Sequence, residues 1–170
     1  MIRKGAGSVN SRKMITTALL IALVTVTTMV VNVPLPGVKG YVNIGDSVVL
    51  MAGLIFGPVV GGLAGALGSS LADLLLGYAY WAPWTFVIKG LEGFLVGWII
   101  LHMPKGKAAS IILGTSLAAL VMVIGYFFVG ILYYGLGPAL VSLPGDLLQG
   151  SVSVILSVML WRPLKKYIAS

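Results

Sequence analysis

The chain is 170 residues long, 59% hydrophobic and only 9% charged, with a mean hydropathy of +1.08 and no cysteine. That balance lies far from a water-soluble domain and reads as a single polytopic membrane domain, all-α; the missing cysteines exclude disulfides, thiolate metal sites and cysteine nucleophiles. The net charge of +7 sits at the ends of apolar segments, not along one solvated face, so it reads as a topology signal and not as a nucleic-acid surface.

Residues 1–13 form a polar start carrying Arg3, Lys4, Arg12 and Lys13. The apolar run 14–33 is too long for the core of a secretory signal, and no convincing small-residue cleavage site follows, so it reads as a retained first span. Ala18 and Ala22 stand one turn apart on it. Small residues at that spacing let another helix approach closely, although alanine is also simply common in membrane helices. Residues 33–45, with Pro34, Pro36, Gly37 and Gly40, read as an irregular loop. Asp46 then occupies the place of an N-cap, and capping is favoured for it over ligand contact.

The following apolar run is too long for one crossing and is divided at Gly57-Pro58. A short helix is expected over 46–57, about 18 Å long against a hydrocarbon core of about 30 Å, then a full one over 58–77. Gly53, Gly57, Gly61 and Gly65 form a four-residue ladder suited to close packing on both sides of the turn. Further spans are expected over 84–102, 109–134 and 146–161. A Lys105-Gly106-Lys107 hinge precedes the fifth, and a second irregular loop opens at Gly135-Leu136-Gly137-Pro138. Pro144, Gly145 and Asp146 introduce the sixth, and Arg162, Lys165 and Lys166 follow it. With six crossings, nine of the lysines and arginines share one side with both termini and only Lys39 lies opposite; without a crossing by the short helix they split four against five on the two faces. The positive-inside rule therefore favours six helices with both termini cytoplasmic.

Several chemistries drop out. Gly106-Lys107 lacks the upstream glycine of a phosphate-binding loop, and a single histidine, His102, permits neither a zinc motif nor a histidine cluster. No catalytic residue, metal site or cofactor is expected, and an enzyme acting on lipid is disfavoured. What remains is charge in an apolar setting: Asp73, Lys89 and Glu92, whose cost must be offset by pairing or by function. The spacing favours a structural Asp73–Lys89 pair and turns Glu92 toward a pocket. The aromatics cluster near the extracytoplasmic ends, as an interface belt or as stacking walls for a flat ligand. Stacking candidates are Trp84, Tyr126 and Tyr133; polar candidates are Asn43, Glu92 and Gln149, with Lys89 a charge that pairing would mask. A neutral or weakly basic pyrimidine- or pyridine-like ligand is expected, with riboflavin next.

The run NIGDSVVLMAGLIFGPVVGGLAGALGSSLADLLLGY, followed by WAPWTFVIKGLEG, resembles the substrate-binding S components of energy-coupling-factor (ECF) vitamin transporters, in the riboflavin and hydroxymethylpyrimidine subgroup. Ala18 and Ala22 match that family's A-x-x-x-A on the first helix, which in the family contacts the transmembrane T component. The resemblance implies six helices with cytoplasmic termini in a bacterial cell membrane. It also implies a first loop acting as a lid, and delivery through a T component and two ABC-type ATPases, so that ATP is used by the partners and not by this chain. The rival reading is an autonomous carrier coupled to an ion through Asp73 or Glu92; the internal repeat expected of it is not evident.

Overall fold

The computed structural model describes residues 11–35, 39–104 and 107–168. The basic start before Ser11, with Arg3 and Lys4, lies outside them, as do Pro36 and Gly37 of the first loop and Lys105 and Gly106 of the hinge. The described chain forms α1 (Ser11–Val30), a hairpin of β1 (Asn32–Pro34) and β2 (Tyr41–Asn43), α2 (Gly45–Phe56), α3 (Pro58–Leu75), α4 (Ala82–His102), α5 (Ala108–Tyr134) and α6 (Leu136–Ile168). Five of the helices are long and apolar enough to cross a membrane; α2 is apolar but shorter. The chain is therefore an all-α polytopic bundle with one small hairpin.

The short helix is the axis of the molecule. Nine of its 12 residues, including Asp46, Val49 and Leu50, are buried. It touches α1, α3, α4 and α6, while α1, α3, α4, α5 and α6 pack in that order as an arc around it. A helix apolar on every side belongs in an interior, and enclosure by longer neighbours suits its length.

Glycine sets how tightly the arc closes on this axis. A Cβ at Gly93 would collide with the Gly61 carbonyl, and one at Gly65 with the Lys89 carbonyl. Gly53 likewise abuts Val96 and the Gly93 carbonyl, so the ladder on α2 and α3 faces Gly93 and Gly97 of α4. Only hydrogen in place of a side chain permits backbones this close. Gly57 serves differently: with φ +86° it makes the turn that Pro58 follows as the first residue of α3.

Three segments differ from the sequence reading. The first loop is not irregular throughout, because Asn32, Val33 and Pro34 pair antiparallel with Asn43, Val42 and Tyr41. Proline is tolerated there because it lies at the end of a strand with no further strand to receive its missing N–H. The helix before Pro138 ends at Tyr134, but the next begins at once at Leu136 and runs unbroken past Pro144, so the second irregular loop shrinks to Gly135 and the sixth span starts ten residues before 146. Pro138 stands in the first turn, where its missing N–H has no intrahelical partner to lose. Finally, Asp46 is not the N-cap. The Gly45 N–H is bonded by the Asn43 side chain at 2.8 Å, and Asp46 lies inside the first turn, fully buried.

Candidate functional site

Each long helix except α5 carries its buried polar residues on one face of an otherwise apolar cylinder. On α4 these are Thr85, Lys89 and Glu92; on α3, Ser69 and Asp73; on α6, Ser142, Asp146, Gln149, Ser153 and Ser157; on α1, Thr25 and Thr28. Spacings of three and four keep each set on a single stripe, and the bundle turns the stripes inward, toward the axis.

At the center lies an ion cluster. Lys89 Nζ is 2.5 Å from Asp46 Oδ1 and 3.1 Å from Glu92 Oε2, with all three side chains essentially inaccessible. Gln149 extends the cluster: its Nε2 donates to Asp46 Oδ2 at 2.7 Å, and its Oε1 accepts the Asn43 backbone N–H at 2.7 Å. Asp46 is also at the N-terminus of α2, where the helix dipole favors negative charge. The expected Asp73–Lys89 pair is not formed. Two carboxylates from α2 and α4 already hold the ammonium, and Asp73 instead accepts a hydrogen bond from the Tyr41 hydroxyl at 2.7 Å.

Above this cluster, at the hairpin end, the stripes enclose a recess. Its walls are Thr28 of α1, Ser69 and Asp73 of α3, Thr85 and Lys89 of α4, Tyr126 of α5, and Ser142, Asp146 and Gln149 of α6. Trp81, just before α4, closes one side, and the hairpin residues Leu35, Gly40, Tyr41 and Asn43 roof it. The cavity volume is about 50 Å³. The roof is fastened in three places: Asn43 to Gln149, Tyr41 to Asp73, and the Lys39 carbonyl to both Tyr80 Oη and Trp81 Nε1, at 2.5 and 2.7 Å. Burial and the neighboring Asp73 carboxylate push the Tyr41 phenol well above its usual range, so it remains a donor.

Of the residues expected at the site, Asn43, Lys89, Tyr126 and Gln149 line the recess; Trp84, Tyr133 and Glu92 do not. Trp84 is five residues from Lys89, which rotates it well off the inward face of α4. It is 38% exposed, and its Nε1 donates to the Tyr133 hydroxyl at 2.8 Å. Tyr133 shares the face of Tyr126 but lies two turns beyond it, outside the recess, where its hydroxyl donates to the Tyr80 carbonyl. Glu92 is on the correct face one turn too deep, sealed beside Lys89. The aromatic wall is instead Trp81, edge-on to Tyr126 at 5.8 Å and to Tyr133 at 5.4 Å, with Lys89 Nζ 5.3 Å from the Tyr126 ring centroid. Thr28, Ser69, Thr85, Ser142 and Asp146 had not been singled out for the site, although their spacing on each helix signals an inward polar stripe. Ala18 and Ala22 are exposed on α1, away from the recess, amid the exposed apolar residues Ile15, Leu19 and Val26.

Comparisons with known proteins give this arrangement a family. Residues 8–166 match the profile described as "ECF-type riboflavin transporter, S component". An uncharacterized protein of Pyrococcus woesei is 45% identical over 147 residues, covering 85% of this chain and 96% of its own length. The thiamine precursor transporter HmpT of Lactococcus lactis is 30% identical over 152 residues, 89% of this chain and 86% of that protein. The family description and the Lactococcus relative's name are those of transporter components and not of enzymes. By a match running from before α1 into the last turns of α6, the chain belongs to the ECF-type riboflavin transporter S component family.

Proposed function

We propose that the protein is the membrane-embedded vitamin-binding subunit of an ECF-type importer, capturing a small heteroaromatic vitamin or precursor from outside the cell. The observation that carries this reading is the recess itself, with an aromatic wall, several polar side chains and a hydrogen-bonded hairpin for a roof. α2 completes six crossings, both termini are cytoplasmic and the hairpin faces outward, in accord with the charge asymmetry. The chain passes its ligand on with a T component and two ABC-type ATPases, which supply the ATP chemistry. Ala18 and Ala22 form part of the surface that meets the T component.

Size and charge narrow the ligand. A volume of about 50 Å³ suits a one-ring compound better than the three fused rings of riboflavin. Lys89 is already held between two carboxylates, so it has no unshared charge for an anionic group. The favored ligands are therefore hydroxymethylpyrimidine or a vitamin B6-like pyridine, with riboflavin next. A mass spectrum of the small molecule co-purifying with the protein, followed by calorimetric titration, tests the reading. Uptake by the purified chain alone in liposomes, driven by an ion gradient, would instead establish the autonomous carrier working through Asp73 or Glu92.

A further inference from the structure

Most of the helical hydroxyls described in this bundle bond back to a carbonyl one turn earlier. Thr25, Thr27, Ser70, Thr115 and Ser151 do so at 2.6–2.9 Å. Thr28 Oγ1 and Ser69 Oγ do not. Both are buried, both line the recess, and neither has a hydrogen-bond partner among the described residues. Asp73, one turn from Ser69 on α3, shows the same deficit on one oxygen. Its Oδ1 is taken by Tyr41, while its buried Oδ2 has no partner. Thr85 accepts from the Tyr126 hydroxyl at 3.1 Å and turns its own hydroxyl toward the Asp73 carboxylate from α4, without closing a short bond to Oδ2. Buried polar groups are rarely left unpaired, and here two hydroxyls and a carboxylate oxygen without partners line one recess. Ser153 is also unpartnered, but it lies outside the recess.

We propose that Asp73, Ser69 and Thr28 form a subsite that reads the amino-substituted edge of a heteroaromatic ring, an exocyclic N–H donor beside a ring-nitrogen acceptor. This inference rests on the vitamin-capture reading above. Asp73 Oδ2 is an acceptor only and takes the amino N–H; the hydroxyls of Ser69 and Thr28 can donate and accept, and they serve the ring nitrogen and the amine's second hydrogen. Asp146 adds a second carboxylate to the same recess, and among the described residues Lys89 is the only cation lining it, already shared by Asp46 and Glu92. The subsite thus favors a donor-bearing, electron-poor ring. A ring with a carbonyl at that position sets oxygen against carboxylate oxygen and is rejected.

The test titrates the full-length protein in nanodiscs with 4-amino-5-hydroxymethyl-2-methylpyrimidine, with its 4-oxo counterpart and with riboflavin. The wild type should bind the amino compound at least tenfold more tightly than the oxo compound. Asp73→Asn replaces an acceptor with a group that can also donate, so the preference should fall to near one or invert. Ser69→Ala guards against misfolding of that variant. It should weaken the amino compound severalfold while leaving the thermal midpoint of the unliganded protein unchanged or higher, because a buried unpaired hydroxyl is lost. A merely structural serine would lower the midpoint and leave affinity alone, which would count against the subsite. Equal wild-type affinity for the two pyrimidines, binding of riboflavin alone, or an Asp73→Asn preference matching wild type would overturn the subsite and leave vitamin capture standing. Binding of none of the three would overturn the subsite, and if a vitamin B6-like pyridine titrated in parallel also failed to bind, the capture reading would fall with it.

Discussion

Lys89 shows how much one side chain determines here. Removing its ammonium while keeping its bulk, as in Lys89→Met, leaves Asp46 and Glu92 facing each other in a dry interior. We expect a loss of about 3–5 kcal/mol, read as a drop in thermal midpoint in detergent. Adding Glu92→Gln to that variant should recover part of the loss; no recovery would mean that the carboxylates do not sense each other. The two tryptophans give a second comparison. Trp81→Ala should weaken ligand binding by about 1–3 kcal/mol through lost stacking and buried area. Trp84→Ala should change affinity by less than twofold on calorimetric titration. The sequence marked the right neighborhood for both residues. What separates them is angle: a Trp-Ala-Pro-Trp motif sets its two rings about 60° apart at helical spacing, and only the phase of Thr85, Lys89 and Glu92 shows which ring faces the recess. For Asp46 the lapse was of another kind. An acidic residue beside a helix start is usually a cap, and nothing local reveals that a lysine 43 residues later will claim it.

Among the elements, α3 and α4 make the most extensive contact, and glycine makes it possible. Gly93→Val would drive a branched side chain into the α3 backbone, which cannot step aside. We expect folded protein to be largely lost on size-exclusion chromatography, whereas Gly137→Ala, at a position with open space, should be tolerated. α1 is the contrasting element. It holds to α3 through Thr25, whose hydroxyl donates to the Gly68 carbonyl at 2.9 Å, and leaves most of its surface outside the bundle. Tryptophan at both Ala18 and Ala22 should therefore spare ligand binding and block assembly with the T component. A complex of normal stability carrying both changes would remove the alanines from that surface. Helices were legible wherever apolar length and a proline boundary agreed. The exceptions were the hairpin, too short for a strand pattern, and Pro144, which reads as a break although α6 continues through it.

For the whole molecule, the absence of cysteine gives a clean test of orientation. With six crossings, Lys39→Cys should react with a membrane-impermeant maleimide in intact cells, and Lys107→Cys only after permeabilization. Labeling of both in intact cells would refute the proposed topology. The proposed orientation rests on charge alone, because positive residues report sidedness without reference to packing. The enclosed recess was not readable in the same way, since it depends on which stripes meet across five helices. One feature of the assembled whole links its surface to its depth. The Asn43 N–H, Gln149, Asp46, Lys89 and Glu92 form an unbroken series of contacts from the hairpin to the center of the bundle. Thermodynamic linkage makes any influence along it mutual. If drawing the hairpin away loosens the grip on Lys89, then weakening that grip must by the same free energy make the hairpin easier to open. The innermost charges would then act as a set-point for how often the entrance is unlatched, from a position no ligand has to touch.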